Sequence, residues 1–578
     1  MVESNNNNND VPPTPDIQQQ HDHDVDHDER KYHNQNSIES IELDILSSSP
    51  NKNNDHECND EEYQDDLDIG ADEIESTTYY HPDGKKKSSS RYCQLIKPSD
   101  KESETDQTVL IPNENKGFSI KKLFSFLGPA VFVSIGYMDP GNWATDLEGG
   151  SRFGYQLVWV LLMSNIMAML LQILSFKIAL VTKKDLAQMC GSEFPKAIKY
   201  VLWVIIEIAI TSTDLAEVIG TAVALQILFG IPLIAGVLIT ALDTLLFLLI
   251  QRWGIRKLEF IVLGLLTIIA FCFIVELFMS KPNAKDVFKG FIPTLSKDSI
   301  MPAIGIIGAT IMPHNLFLHS GVVKSRKIGK DNASVRQAFK YNIIDTVVAL
   351  NTAFFVNASI IILAGAVFYE NGVEVSDLSD AYKLLENIMN SKVASIMFGV
   401  GLLCAGQAST ITGTMAGQIV MEGFIQIKLP PWVRRLVTRL LAIIPAVIVI
   451  LAMGPSQVYN LLIISQVILS IALPFAIVPL IKFTSDREIM GEFVNRIWIT
   501  VAAIIIALIL IGLNMMAIVQ LIQELIETGL VAAILTYIFI VPLVVAFVLL
   551  LVWVIFYKQT PTIIKFIKCR VLGGVGTY

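Results

Sequence analysis

The sequence predicts an all-α, multi-pass membrane protein with about 12 transmembrane helices. Of its 578 residues, 52% are hydrophobic and 17% are charged, and an average soluble domain carries roughly 25% charged residues. From Gly117 onward, long apolar segments recur, each near the roughly 20 residues that a helix needs to cross a bilayer. Because lipid offers the backbone no hydrogen-bond partner, each of these segments must be helical. This composition excludes an ordinary cytosolic enzyme.

Twelve apolar segments set the predicted architecture. In chain order they cover residues 123–150 (interrupted), 157–181, 201–229, 233–249, 260–279, 300–318, 343–368, 393–408, 436–453, 458–481, 497–518 and 530–556. The predicted domains are therefore an N-terminal tail (1–116), a transmembrane domain (117–557) and a C-terminal tail (558–578).

The N-terminal tail differs in composition from the rest of the chain. Residues 1–116 carry 28 Asp and Glu against 10 Lys and Arg, with runs of Asn, Gln and Ser. Such a segment cannot bury enough apolar surface to offset its ordering entropy, so we predict a disordered acidic tail. Its Tyr92-Cys93-Gln94-Leu95 matches a Tyr-x-x-apolar sorting pattern. Four residues with two free positions match often by chance, so a trafficking adaptor as partner stays an open alternative.

The loops predict the orientation of the chain. Basic residues follow the even-numbered spans, whereas the loops after odd-numbered spans are short, neutral or acidic, apart from a Lys and Asp mixture at 281–297. By the positive-inside rule, both termini are then cytosolic. The basic positions are Lys183, Lys184, Arg252, Arg256, Lys257, Lys324, Arg326, Lys327, Lys330, Lys428, Arg434, Arg435, Lys482, Arg487, Lys558, Lys565, Lys568 and Arg570.

The sequence lacks the motifs that are typical of several other functional classes. The six cysteines show no CxxC spacing, so we expect neither disulfides nor a structural zinc. The phosphate-binding pattern Gly-x-x-x-x-Gly-Lys-Ser/Thr does not occur, so coupling to ATP is not expected. We also expect no enzymatic activity, no cofactor and no nucleic-acid partner.

Two spans contain helix-breaking residues at mid-membrane. The first span carries Asp139-Pro140-Gly141-Asn142, and the sixth carries Met312-Pro313-His314-Asn315. Proline removes a backbone donor and glycine is permissive, so both helices should unwind there. Unwound backbone persists within lipid only where it lines a cavity or meets a ligand. Because the breaks fall in the first span of two consecutive sets of five, they predict an inverted five-plus-five repeat followed by two extra helices, which is typical of secondary transporters.

The residue types at the two breaks predict what binds there. Asp139 offers an anionic oxygen, Asn142 an amide oxygen, Ala309 a freed backbone carbonyl and Met312 a thioether. A mid-membrane carboxylate costs at least about 2.5 to 3.5 kcal/mol and indicates a functional site. Oxygen ligands alone suit Mg²⁺ or Ca²⁺, whereas a soft sulfur favours transition metals. Although most membrane methionines only fill the core, the position of Met312 at a break predicts a site for a divalent transition metal.

Titratable residues near the sixth-span break predict a proton or ion route. His314 adjoins the break, and an imidazole can exchange a proton near neutral pH. Glu207, Asp214 and Glu217 share one stripe of the third span, where carboxylates indicate an ion pathway. Arg439, near the start of the ninth span, is either their partner or a simple interfacial anchor.

Three motifs carry a resemblance to a known family. The two break motifs and the segment 406–418, GQASTITGTMAGQ, resemble the natural resistance-associated macrophage protein (NRAMP) family of divalent metal transporters, over about residues 118–556. The resemblance implies a LeuT-like fold and proton-coupled uptake of Fe²⁺ and Mn²⁺ into the cytosol by alternating access. It assigns the metal to Asp139, Asn142, the Ala309 carbonyl, Met312 and, in some states, Gln466; it assigns the proton route to His314, Asp214, Glu217 and Arg439, with help from Asn357 through water.

Two rival classes share parts of this pattern. An amino-acid or organic-solute symporter could have the same repeat, but its substrate carboxylate would be repelled by Asp139. A channel needs a continuous lined pore, whereas the sequence shows a single broken-helix site. The expected location is an endolysosomal or vacuolar membrane, with the plasma membrane as the alternative.

Overall fold

The computed structural model describes residues 109–110, 126–251, 254–329, 331–375, 378–426, 430–454, 458–527, 534 and 536–557. Contacts divide the chain into Met1–Lys97, none of which is described, and Pro98–Tyr578, to which everything below belongs. Apart from residues 109–110, both predicted tails and the Tyr92 motif lie outside the described residues. The described part is nearly all helical.

The first half of the transmembrane domain begins with a divided span. Its two helices are α1 (Pro129–Gly136) and α2 (Pro140–Phe153), each of which begins at a proline. The first position of a helix needs no backbone donor, so proline is well suited to it. The helices that follow are α3 (Val158–Thr182), the short α4 (Leu186–Glu193), α5 (Lys196–Phe229), α6 (Leu233–Gln251), α7 (Ile255–Ser280) and α8 (Ala284–Lys289).

The second half begins with another divided span. Its two helices are α9 (Ile300–Thr310) and α10 (Pro313–Lys324), and a proline again opens the second helix. The remaining helices are α11 (Asn332–Val367), α12 (Leu378–Met389), α13 (Lys392–Ile425), α14 (Pro431–Met453), α15 (Val458–Ala472), α16 (Pro474–Ser485), α17 (Arg487–Met490), α18 (Ile497–Glu527) and α19 (Val541–Phe556). Short 3₁₀ turns lie at Tyr369–Asn371 and Gly491–Phe493, and a π-helical turn at Thr536–Ile540.

These helices confirm the predicted multi-pass architecture. Within the described residues, nine helical segments are long and apolar enough to cross a membrane, or up to ten when the bent pair α5 and α6 counts as one. The predicted first span is outside this count because α1 and α2 have only 8 and 14 residues. The prediction that the first and sixth spans are broken is also confirmed.

Close helix packing encloses α2 at the centre of the fold. Helix α11 packs along α2 and α3, and α13 packs along α5 and α7. The indole ring of Trp143 on α2 lies edge-on to Phe273 of α7 and Phe398 of α13, at centroid distances of 4.8 and 5.3 Å. Aromatic pairs in this geometry stabilise beyond their buried area. The first break is therefore held in position by three neighbouring helices.

One strand pair joins the start of the described chain to the end of α10. Strand β1 (Val109–Leu110) lies parallel to β2 (Arg326–Lys327), which directly follows α10. The guanidinium of Arg326 also contacts the Glu259 carboxylate of α7 at 2.6 Å. The end of α10 is thus tied to both β1 and α7.

Candidate functional site

Asp139 is the residue on which the first break is organised. It caps the N-terminus of α2, and its Oδ1 accepts hydrogen bonds from the backbone N–H of Asn142 at 2.8 Å and from the Asn142 side-chain amide at 2.7 Å. The carboxylate is fully buried, and its Oδ2 has no hydrogen-bond partner among the described residues. One oxygen therefore fixes the orientation of the side chain while the other is available to a cation.

Side chains from neighbouring elements satisfy the carbonyls at this break. Pro140 has no N–H, so the helical hydrogen bonding of α1 cannot continue through it. The carbonyl of Tyr137 accepts a hydrogen bond from the amide of Asn357 on α11 at 2.6 Å, and that of Met138 accepts one from the Trp143 indole at 3.2 Å. Asn357 therefore contacts the first break directly.

The sixth-span break presents a carbonyl and a thioether. Helix α9 ends at Thr310, and Ile311 and Met312 have extended backbone before α10 begins at Pro313. The carbonyl of Ala309 would accept from residue 313 in a continuous helix, but proline has no N–H to donate. Ala309 and Met312 are both fully buried. This break thus supplies two uncharged donor groups inside the protein.

The side chain of Gln466 on α15 contacts the first break. Its amide packs so closely on Gly141 that a Cβ atom there would overlap it, and the backbone carbonyl oxygen of Gln466 lies 3.8 Å from where a Cβ atom of Gly308 on α9 would be. The Gln466 Oε1 atom has no hydrogen-bond partner in the described part of the chain. The structure therefore places the Gln466 side chain against Gly141, between Asp139 and Asn142 in sequence, and the backbone of Gln466 near α9.

This donor set differs from that of a resident structural metal. Among the described residues, no group of three or more His, Cys, Asp and Glu side chains is placed to hold a metal ion. The two breaks instead carry one carboxylate with amide, carbonyl and thioether groups. A single negative charge with a soft sulfur suits reversible binding of a divalent transition metal better than permanent retention.

A buried network of ion pairs joins α5 to α14. Asp214 lies 2.7 Å from Arg435, with both side chains 1% exposed, and Glu207 lies 2.8 Å from Arg434. Glu217 lies 3.7 Å from Arg439 and 3.8 Å from Arg435. Buried charges are tolerated only when they are paired, so the three carboxylates on the predicted stripe of α5 face three arginines.

The sequence interpretation of Arg434 and Arg435 was wrong. It counted them as loop charges and began the ninth span at residue 436. Helix α14 begins at Pro431, and both arginines are buried inside it. Arg439 is also buried against Glu217, so its position matches the partner alternative and not the interfacial anchor.

His314 connects the sixth-span break to this network. Its Nδ1 atom lies 3.4 Å from the hydroxyl of Thr213, the neighbour of Asp214 on α5, and the ring is buried. His319, further along α10, donates a hydrogen bond from Nδ1 to the side-chain carbonyl of Gln172 at 2.9 Å, and the Gln172 amide donates to the Tyr137 hydroxyl at 2.9 Å. Thus His314 faces the ion network, and His319 faces the opposite, α3 side.

Comparison with known proteins identifies the relatives of this chain. The family described as "Natural resistance-associated macrophage protein-like" matches residues 130–520. A "Natural resistance-associated macrophage protein 2 homolog" from Dictyostelium discoideum is 62% identical over 78% of this chain and 74% of its own length. A "Divalent metal cation transporter MntH" from Listeria innocua is 50% identical over 71% and 93% of the two chains. A crystal structure of a manganese transporter mutant from Eremococcus coleocola superimposes with a TM-score of 0.72 and 38% identity, covering 78% of this chain and 98% of that one.

The helical fold with two broken spans and the similarity to these relatives define a multi-pass integral membrane transporter. The chain belongs to the natural resistance-associated macrophage protein family, whose members are metal transporters and not enzymes.

Proposed function

We propose that this protein is a symporter that moves Mn²⁺ and Fe²⁺ into the cytosol together with protons by alternating access. The observation that carries the proposal is the buried carboxylate of Asp139 at the first break, one oxygen of which has no hydrogen-bond partner among the residues that the structure describes. Relatives named as a divalent metal cation transporter and a manganese transporter support the class of substrate.

In the proposed metal site, each residue has a separate task. Asp139 supplies the negative charge, and Asn142 and the Ala309 carbonyl supply neutral oxygens. Met312 supplies a sulfur atom that disfavours the hard ions Ca²⁺ and Mg²⁺. Gln466, whose side chain packs on Gly141 in the first break, completes the ligand set in those conformations that bring its side chain onto the metal.

The proposed proton route starts at His314 and continues along α5. From His314, the contact with Thr213 leads to Asp214, and the shared arginine Arg435 links Asp214 to Glu217. Arg439 pairs with Glu217, and Glu207 lies further along the same stripe. This proton route leads away from the metal site between α5 and α14. We propose that the metal ion leaves the site by a separate path.

The proposal keeps the location and orientation expected from the sequence. Both termini are cytosolic, and the membrane is endolysosomal or vacuolar, with the plasma membrane as the alternative. Metal and protons are the substrates, and neither ATP nor a cofactor takes part. A symporter of amino acids on the same fold is disfavoured because the Asp139 carboxylate would repel the carboxylate of such a substrate.

Uptake of radioactive Mn²⁺ into proteoliposomes tests the proposal. An acidic exterior is expected to accelerate uptake by the native chain, because protons would move inward with the metal. Asp139→Asn should abolish uptake, whereas the control Glu148→Gln, which changes a carboxylate on the same helix that pairs with Arg152 at the surface, should leave it unchanged. Equal uptake by Asp139→Asn, or uptake that ignores the pH gradient, would contradict the proposal.

A further inference from the structure

Asp146 is a second buried carboxylate on α2 that the proposed site does not use. Its side chain is 1% exposed, and neither of its oxygens has a hydrogen-bond partner within the described residues. An ionisable group buried at membrane depth is costly and indicates a function when no structural partner explains it. Its position relative to the metal ligands shows what that function is.

Asp146 lies on the same helical stripe as the two ligands of α2. It follows Asp139 by seven residues and Asn142 by four, which places its side chain within about 20° and 40° of theirs around the helix axis. The rise between Asp139 and Asp146 is about 10 Å. Asp146 therefore lies two turns from the metal site, toward the end of α2 that the loop charges predict to be extracellular.

Two neighbouring helices, α9 and α11, pack closely on α2 just after Asp146. Gly149 packs against Ile306 of α9, and Gly150 packs against Ala364 of α11. A Cβ at Gly150 would overlap Ala364, so glycine is what allows α11 to approach this closely. The part of α2 that carries Asp146 is therefore packed between α9 and α11.

We propose that Asp146 is an outer binding point that receives the divalent metal ion before it reaches Asp139. The inference rests on the proposed function and adds a second cation site to it. A buried carboxylate without a protein partner attracts a cation strongly because little solvent screens its charge. Two divalent ions about 10 Å apart in this environment would repel each other, so the ion occupies the two carboxylates in succession and not together.

Kinetics in proteoliposomes provide the first test. Asp146→Asn preserves side-chain volume and removes the charge, and we expect its KM for Mn²⁺ to rise on the order of 10-fold at low ionic strength, the lower end of electrostatic capture effects. The maximal rate should stay within about twofold of the native value, because Asp139 and its partners are intact. Glu148→Gln serves as the matched control and should leave both constants unchanged, and Asp146→Glu should restore most of the native KM.

Equilibrium binding provides a second test that does not depend on the stability of Asp146→Asn. The electron paramagnetic resonance signal of free Mn²⁺ is lost on binding, so titration of the purified Asp139→Asn/Met312→Ala protein measures the remaining site. We expect weak binding of one Mn²⁺, and its loss when Asp146→Asn is added to the same chain. Complete absence of Mn²⁺ binding by Asp139→Asn/Met312→Ala would overturn the proposal.

The outcomes separate this inference from the proposed function. If the native chain transports Mn²⁺ and Asp146→Asn has the native KM for Mn²⁺, the proposal of an outer binding point at Asp146 is refuted, and the proposed transport function is unaffected. If Asp146→Asn keeps the native KM for Mn²⁺ but alters proton flux, the bound cation is the proton, and the proposal is again overturned. If the native chain transports no Mn²⁺ at all, the proposed function itself has failed.

Discussion

The ion pair between Arg435 and Asp214 allows a quantitative prediction of stability. The Nη1 atom of Arg435 lies 2.7 Å from the Oδ1 atom of Asp214, and both side chains are 1% exposed. Removing one partner of such a buried pair leaves an uncompensated charge and typically costs about 3 to 5 kcal/mol. Because Arg435 also lies 3.8 Å from Glu217, we expect Arg435→Leu to lower the free energy of unfolding by an amount in that range.

A double-mutant cycle in detergent micelles measures this effect. Denaturant titrations of Arg435→Leu, Asp214→Leu and the double variant should show that the double variant is less destabilised than the sum of the two, by about 0.5 to 3 kcal/mol. The control is the pair Lys289 and Asp286, which has the same 2.7 Å distance but side chains that are 62% and 40% exposed. Exposed pairs contribute about 0 to 1 kcal/mol, so Lys289→Leu should have little effect. Equal destabilisation by Arg435→Leu and Lys289→Leu, or strict additivity in the cycle, would refute the reasoning.

Three further predictions concern transport. Met312→Ala should keep measurable Mn²⁺ uptake but lose discrimination against Ca²⁺ by about 1 to 2 kcal/mol, which corresponds to about 5- to 30-fold in relative affinity. If millimolar Ca²⁺ inhibits Mn²⁺ uptake by the variant and the native chain equally, Met312 only fills space in the core. His314→Ala should uncouple proton flux from Mn²⁺ uptake, as measured by a pH dye inside the vesicles, and an unaltered flux would contradict its place in the route. Deletion of residues 2–104, which ends before β1, should leave the rate in proteoliposomes unchanged because the site is built from Asp139 onward; a large loss there would show that the tail takes part in transport.

The helix breaks were predictable because their cause is local. Pro140 and Pro313 each remove a backbone donor, and no tertiary contact is needed to know that a continuous helix cannot pass through them. The same local chemistry identified Asp139 and Met312 as the groups displayed there. The stripe formed by the α5 carboxylates was likewise readable from helical spacing alone.

The burial of Arg434 and Arg435 was not predictable from the same kind of evidence. A basic pair next to prolines, just before an apolar segment, has the composition of a loop that obeys the positive-inside rule. Only the packing of α14 against α5 shows that these arginines face Asp214 and Glu207 instead of solvent. The contact of Gln466 with Gly141 has the same origin, since the two residues are more than 300 positions apart and meet only in the folded chain.

The central claim is that one divalent metal ion binds between the two helix breaks. Anomalous diffraction from crystals of the protein soaked in Mn²⁺ tests it most directly, because the anomalous signal locates the metal independently of the protein density. The account predicts a single strong peak in contact with an oxygen of Asp139, the Ala309 carbonyl and the sulfur of Met312, and its absence from crystals of Asp139→Asn. Absence of a peak between the two breaks, or a peak there that persists undiminished in Asp139→Asn, would contradict it.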